Sequence, residues 1–177
     1  MRKFIYAIAT SFCVLGFVSA SSASAATLYS SVAADCELDT SSTATAAFSG
    51  ADGSVTFSGS STGLIRLTCR VTPFSFSGCP SSSALYMTAA DGDGGGGWDN
   101  YYVSTWLNSI PKGSSTTVTN LANVESTSST KAEVSEASST FANTGVNFAT
   151  NYIWVSVDIY RLNTTNNPKF WGFTIYC

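Results

Sequence analysis

Between residues 152 and 162 the chain alternates without a break. Ile153, Val155, Val157 and Ile159 fall on one side, and Tyr152, Trp154, Ser156, Asp158 and Tyr160 fall on the other. A period of two marks a strand with one buried face, because successive side chains leave a pleated backbone in opposite directions. A helix through the same residues would scatter the apolar ones around its axis. Residues 64–72 repeat the pattern, with Ile65, Leu67, Cys69 and Val71 set against Arg66, Thr68, Arg70 and Thr72. After a turn at residues 163–168, residues 170–177 place Trp171, Phe173, Ile175 and Cys177 on one face. The two closing segments are expected to form a hairpin of adjacent strands near the sheet centre.

Shorter strands are expected at residues 54–58 and at residues 84–89, where Leu85 and Met87 oppose Tyr86. The run Asp-Gly-Asp-Gly-Gly-Gly-Gly-Trp-Asp at residues 91–99 must be a loop, since consecutive glycines lose too much backbone entropy in a strand. Residues 101–107 should return beside residues 84–89 as their partner. Further strands fit residues 116–121 and 140–148, and residues 131–137 fit one helical turn or a weak strand. Many short strands with turn signals between them, and no helix of ordinary length, predict a single all-β domain. Its form is an antiparallel β-sandwich or flattened barrel with disulfides.

The first residues address the chain. Met1-Arg2-Lys3 is a short positive region, residues 4–18 are apolar, and Ala23-Ser24-Ala25 supplies a small-residue cleavage site. That arrangement is a signal peptide over residues 1–25, with the mature domain at residues 26–177. The apolar core is too short to span a membrane, so the protein is expected to be secreted, outside the cell, in the periplasm or at the cell surface. Four cysteines remain after the leader, Cys36, Cys69, Cys79 and Cys177. In an oxidising compartment an even number without a C-x-x-C pair reads as two structural disulfides rather than a metal site.

Composition removes several function classes. There is no histidine, so Ser-His-Asp and Cys-His catalysis lack their base and the common catalytic zinc sites lack a ligand. Beyond the leader, six bases face eleven acids. Those bases form no stripe, which argues against a nucleic-acid partner.

The stretches Ala34-Asp35-Cys36 and Leu67-Thr68-Cys69-Arg70-Val71, together with the aromatic end at residues 152–176, resemble a family of small exported four-cysteine β proteins from myxobacteria and other proteobacteria. Members carry A-x-x-C near the start, a strand with V-x-C-P, two later strand cysteines and an aromatic close. Here Arg70 stands where proline is usual, and the two later cysteines are absent from residues 101–107 and 152–162. The resemblance implies location and fold, and attaches no activity. It also implies a pairing: Cys36–Cys69 retained, leaving Cys79–Cys177. Inward-facing Cys69 and Cys177 offer the alternative, with Cys36–Cys79 as its complement.

Three candidate sites stand out. Asp91, Asp93 and Asp99 around the glycine run could wrap a calcium ion, because a hard cation takes several oxygens. The EF-hand spacing fails, and a plain acidic loop is the simpler reading, so no cofactor is expected. Trp98, Tyr101, Tyr102 and Trp106 crowd the same loop, and Tyr152, Trp154 and Tyr160 share one side of a later strand. Aromatic platforms bind sugar rings or apolar partners, although a sandwich can also bury such rings. Finally, a carboxylate pair could hydrolyse glycosides without histidine; Asp158 is the strand-borne acid flanked by aromatics, and Glu125, Glu133 and Glu136 sit in the weakly patterned region. Pairing of Asp158 with Arg66 or Arg70 is the more ordinary role. The expected function is therefore a non-catalytic module binding a glycan, a surface or a protein. The alternatives are a small His-independent glycoside hydrolase or a subunit of a surface fibre.

Overall fold

A computed structural model describes residues 25–90, 100–113, 117–126 and 135–177, with backbone alone for residues 135–137. The strands are β1 (Thr27–Val32), β2 (Glu37–Leu38), β3 (Ala46–Phe48), β4 (Val55–Phe57), β5 (Gly63–Arg70) and β6 (Ser82–Ala90). They continue as β7 (Tyr101–Pro111), β8 (Thr119–Glu125), β9 (Ser135–Ala142), β10 (Asn151–Arg161) and β11 (Lys169–Tyr176). Two antiparallel sheets result. One runs β3-β4-β11-β6-β9, with β1 also pairing β11; the other runs β2-β5-β10-β7-β8. No α-helix occurs among the described residues, and none there is long and apolar enough to cross a membrane. The expected all-β sandwich is the fold.

The inner faces meet in one core. Ile65 and Leu67 of β5, Val103 and Leu107 of β7, and Val155, Val157 and Ile159 of β10 pack from one sheet. Leu85 and Met87 of β6 and Phe170, Phe173 and Ile175 of β11 pack from the other. The alternation in β5, β6 and β10 is thus the inside–outside pattern of a sandwich.

Two expected pairings are corrected. Residues 84–89 and 101–107 are not partners, because β6 pairs β11 and β9 whereas β7 pairs β10 and β8. Nor do the closing segments form a hairpin: β10 is central in one sheet and β11 in the other. The reason is physical. Each carries a full apolar face, and placing them in opposite layers lets those faces bury each other. The connection at residues 162–168 is also too long for the two-residue turns that fix tight hairpins.

The face assigned to β11 also changes. The register against β6 shifts between Phe170 and Gly172. Phe170, Phe173 and Ile175 therefore point inward, and Trp171 turns to the outer face. At Gly172 an added Cβ would lie 2.3 Å from the Ser31 carbonyl oxygen of β1. Gly172→Ala is accordingly expected to cost about 1–3 kcal/mol by overpacking and to loosen β1. A urea melt measures the first effect and hydrogen exchange along β1 the second; unchanged values for both would refute this reading of the bulge.

The weak middle region resolves in part. The strand expected at residues 116–121 is β8, which begins three residues further along and is one residue longer. The strand expected at residues 140–148 ends at Ala142, where a single 3-10 turn, Asn143–Gly145, follows. Residues 135–137 begin β9, and residues 131–134 lie outside the described residues.

The disulfides are Cys36–Cys69 and Cys79–Cys177, not the alternative that joins Cys69 to Cys177. The first ties the turn after β1 to β5. The second ties the loop after β5 to the end of β11, beside an aromatic group in which Phe74 lies 5.1 Å from both Phe76 and Phe148.

Candidate functional site

The outer face of the five-stranded sheet carries a group of polar and aromatic side chains, and the register builds it row by row. Arg66 pairs across with Asp158, and Asp158 with Ser104. Thr68 pairs with Ser156, Ser156 with Trp106, and Trp106 with Asn123. Arg70 pairs with Trp154, and Trp154 with Asn108. Trp106 and Trp154 are thus diagonal neighbours on adjacent strands, with Cα atoms about 7–8 Å apart by sheet geometry.

Between the two indoles lies a groove of about 380 Å³, floored by Thr68, Ser156 and Asn108 and closed towards one side by Asp39, Arg66 and Asp158. A second hollow of about 160 Å³ shares Thr68 and Trp154 with it and reaches Asp35, Glu37 and Arg70 at the β2 edge. The combined depression crosses the strands from β7 to β2, with Trp154 as its central wall.

The walls are held in place. Asn108 Nδ2 donates to Ser156 Oγ at 2.7 Å and to the Trp106 carbonyl at 3.1 Å. With the Asn123 amide turned to suit both neighbours, its oxygen accepts from Trp106 Nε1 at 2.6 Å and its nitrogen donates to Glu125 Oε1 at 2.9 Å. Trp106 therefore offers its ring, not its N–H, to the groove. Arg66 donates from Nε and Nη2 to the two Asp158 oxygens, each at 2.6 Å, the bidentate form of a charge-assisted pair. That hydrogen bonding raises the Arg66 pKa further. The hydroxyl and backbone N–H of Ser41 hold the Asp39 carboxyl below its ordinary value. Above the Asp158 row, Tyr102 stacks on Tyr160 with centroids 5.2 Å apart. Burial, and then the Asp158 charge, push the Tyr102 phenol upward.

The structure divides the aromatic cluster expected from sequence. Tyr102 and Trp106 share the outer face of β7, whereas Tyr101 has the opposite parity, is 4% exposed, and donates its hydroxyl to Asn163 Oδ1. Trp98, like the calcium candidates Asp91, Asp93 and Asp99, lies outside the described residues. Among the described residues no group of three His, Cys, Asp or Glu side chains is placed to hold a metal. Trp154 and Tyr160, read from sequence as a separate group, are carried by the β10–β7 pairing onto the same surface as Trp106 and Tyr102. Tyr152 stands further along that face, 62% exposed, with Lys112 Nζ 5.5 Å from its ring centre. Sequence reasoning missed the polar floor. Its signal was present, since Thr68, Asn108 and Ser156 share the outward parity of their neighbours, but only the register assembles them.

No family model matches this chain, and no curated protein matches it. Among solved structures, a family two carbohydrate esterase from Cellvibrio japonicus is similar at a TM-score of 0.40 and 11% identity over 86% of this chain. The chain spans 34% of that structure's length. At that score neither a site nor an activity transfers.

Proposed function

We propose that this protein is an exported, non-catalytic module that binds neutral glycan chains in the Trp106–Trp154 groove. The observation that carries the reading is the pairing of two half-exposed indoles with a floor of hydroxyl and amide groups on one rigid sheet. Sugars present an apolar C–H face and a polar rim, so a binding site needs flat apolar walls and convergent hydrogen-bonding groups, already positioned. A groove crossing the strands suits a chain laid along it.

The acids lining the groove favour binding over bond cleavage. Glycoside hydrolysis needs one carboxyl that keeps its proton as general acid. Asp39 is pulled the other way by Ser41, and both Asp158 oxygens accept from the Arg66 guanidinium. The leader and the two disulfides support export, where polysaccharide is met.

The test is calorimetry of the mature protein with cellohexaose, xylohexaose, mannohexaose and chitohexaose. Trp106→Ala and Trp154→Ala are each expected to weaken binding about 30-fold, the equivalent of about 2 kcal/mol for an anchor residue. Melting temperatures should move little, because both rings lie on the outer face. Full affinity in both variants, or no binding of any hexasaccharide by the parent, would refute the reading.

A further inference from the structure

The opposite sheet carries a second trough of the same make. On its outer face Tyr86 of β6 and Tyr176 of β11 meet edge to face, with centroids 5.0 Å apart. Beside them is a hollow of about 210 Å³ lined by Tyr86, Thr88, Thr174 and Tyr176, with Ala25 at one side. A neighbouring hollow, also about 210 Å³, shares Thr88 and Thr174 and continues past Ser30 and Ser31 to Trp171. The two are one depression, with a tyrosine pair at one end, an indole at the other and hydroxyls between.

Trp171 is there because of the bulge in β11. Continued regular alternation from Phe170 would not have left Phe170 inward, Trp171 outward and Phe173 inward together. The indole is held by Asp52 and Lys169. Its Nε1 donates to Asp52 Oδ2 at 3.2 Å, Lys169 Nζ donates to the same oxygen at 2.6 Å, and Lys169 Nζ lies 4.8 Å from the ring centre. The Lys169 charge is matched by Asp52, whose carboxyl it holds well below the usual range. Among the described residues, the side chains lining the trough itself are uncharged. Those rings and hydroxyls suit a neutral occupant with apolar faces and many hydroxyl partners.

From this trough we infer that the protein is bivalent: it holds a second neutral glycan chain on its six-stranded sheet, back to back with the first. The inference rests on the glycan reading of the Trp106–Trp154 groove. The two depressions lie on the outer faces of a sandwich whose sheets pack about 10 Å apart. One short linear chain lying in one groove does not reach the other, so two chains are bridged. If the leader is cut after Ala25, one rim residue is lost, while the tyrosines, the threonines and Trp171 remain.

Calorimetric stoichiometry with the same hexasaccharides tests this, together with the viscosity of galactomannan and hydroxyethylcellulose solutions. Two hexasaccharides per chain are expected for the parent. One is expected for the Tyr86→Ala, Trp171→Ala double variant, one for the Trp106→Ala, Trp154→Ala double variant, and none when all four changes are combined. The parent should thicken the polysaccharide that it binds, and neither double variant should. Thr88→Glu, which puts bulk and charge on the trough floor while leaving every aromatic ring in place, should also reduce the count to one. A parent stoichiometry of one overturns bivalency. If the Trp106, Trp154 variant then loses all binding and the Tyr86, Trp171 variant loses none, the first groove stands without the second. Absence of binding to every probe overturns both.

Discussion

Replacing Cys79 and Cys177 together by alanine should lower the unfolding free energy by about 4–5 kcal/mol. The bridge closes a loop of sequence separation 98, and on the chain-entropy account a loop of about 100 residues constrains the unfolded chain by that amount. The Cys36–Cys69 bridge, with a separation of 33, should give less, about 4 kcal/mol by the same scaling. Position adds to the difference. Cys177 exchanges backbone hydrogen bonds with Ala26, at 3.1 and 3.3 Å, so it anchors the start of β1. Cys79 ends the loop whose Phe74 packs near Tyr29 and Phe148. Urea unfolding under non-reducing conditions reads the loss, and the slope of the transition should increase because the released chain exposes more surface. A double variant as stable as the parent, with the same slope, would remove the cross-link from the account of stability.

The sequence carried the strands better than it carried their neighbours. Where one face is buried and the other wet, as in β5 and β10, period-two alternation specifies the strand, its inner face and even the outward position of Asp158. Which strand lies alongside which is decided by how whole faces cover one another. No local signal in residues 84–107 or 152–177 says that consecutive strands change sheets. Parity could have been used further. Tyr101, Tyr102 and Trp106 looked like one cluster by proximity, yet Tyr101 has the parity of Val103 and Leu107, both in the core. Arg161 makes the same point with a charge. It follows Ile153, Val155, Val157 and Ile159 at the buried parity and is itself buried, donating to the carbonyls of Gly59 and Ser61 and lying over Phe57. Burial pulls its pKa down. The bulge at Gly172 was illegible because a single extra residue leaves no periodic trace, and it is what delivers Trp171 to the outer face.

Arg66 and Asp158 should respond unequally to deletion. The Asp158 side chain is 8% exposed and that of Arg66 40%. Asp158→Ala leaves a guanidinium that water can reach, and a loss of about 1 kcal/mol is expected, as for surface pairs. Arg66→Ala leaves a carboxylate in a nearly closed site, and about 3–5 kcal/mol should be lost at pH 7, the range for breaking a buried pair. Arg66→Met separates charge from packing, since it keeps an apolar stem over the sheet. It should remain strongly destabilised at pH 7. If Arg66→Met matched the parent at pH 7, the guanidinium would be acting as a covering side chain rather than as the partner of a buried charge. The floor of the groove would then owe its shape to packing alone.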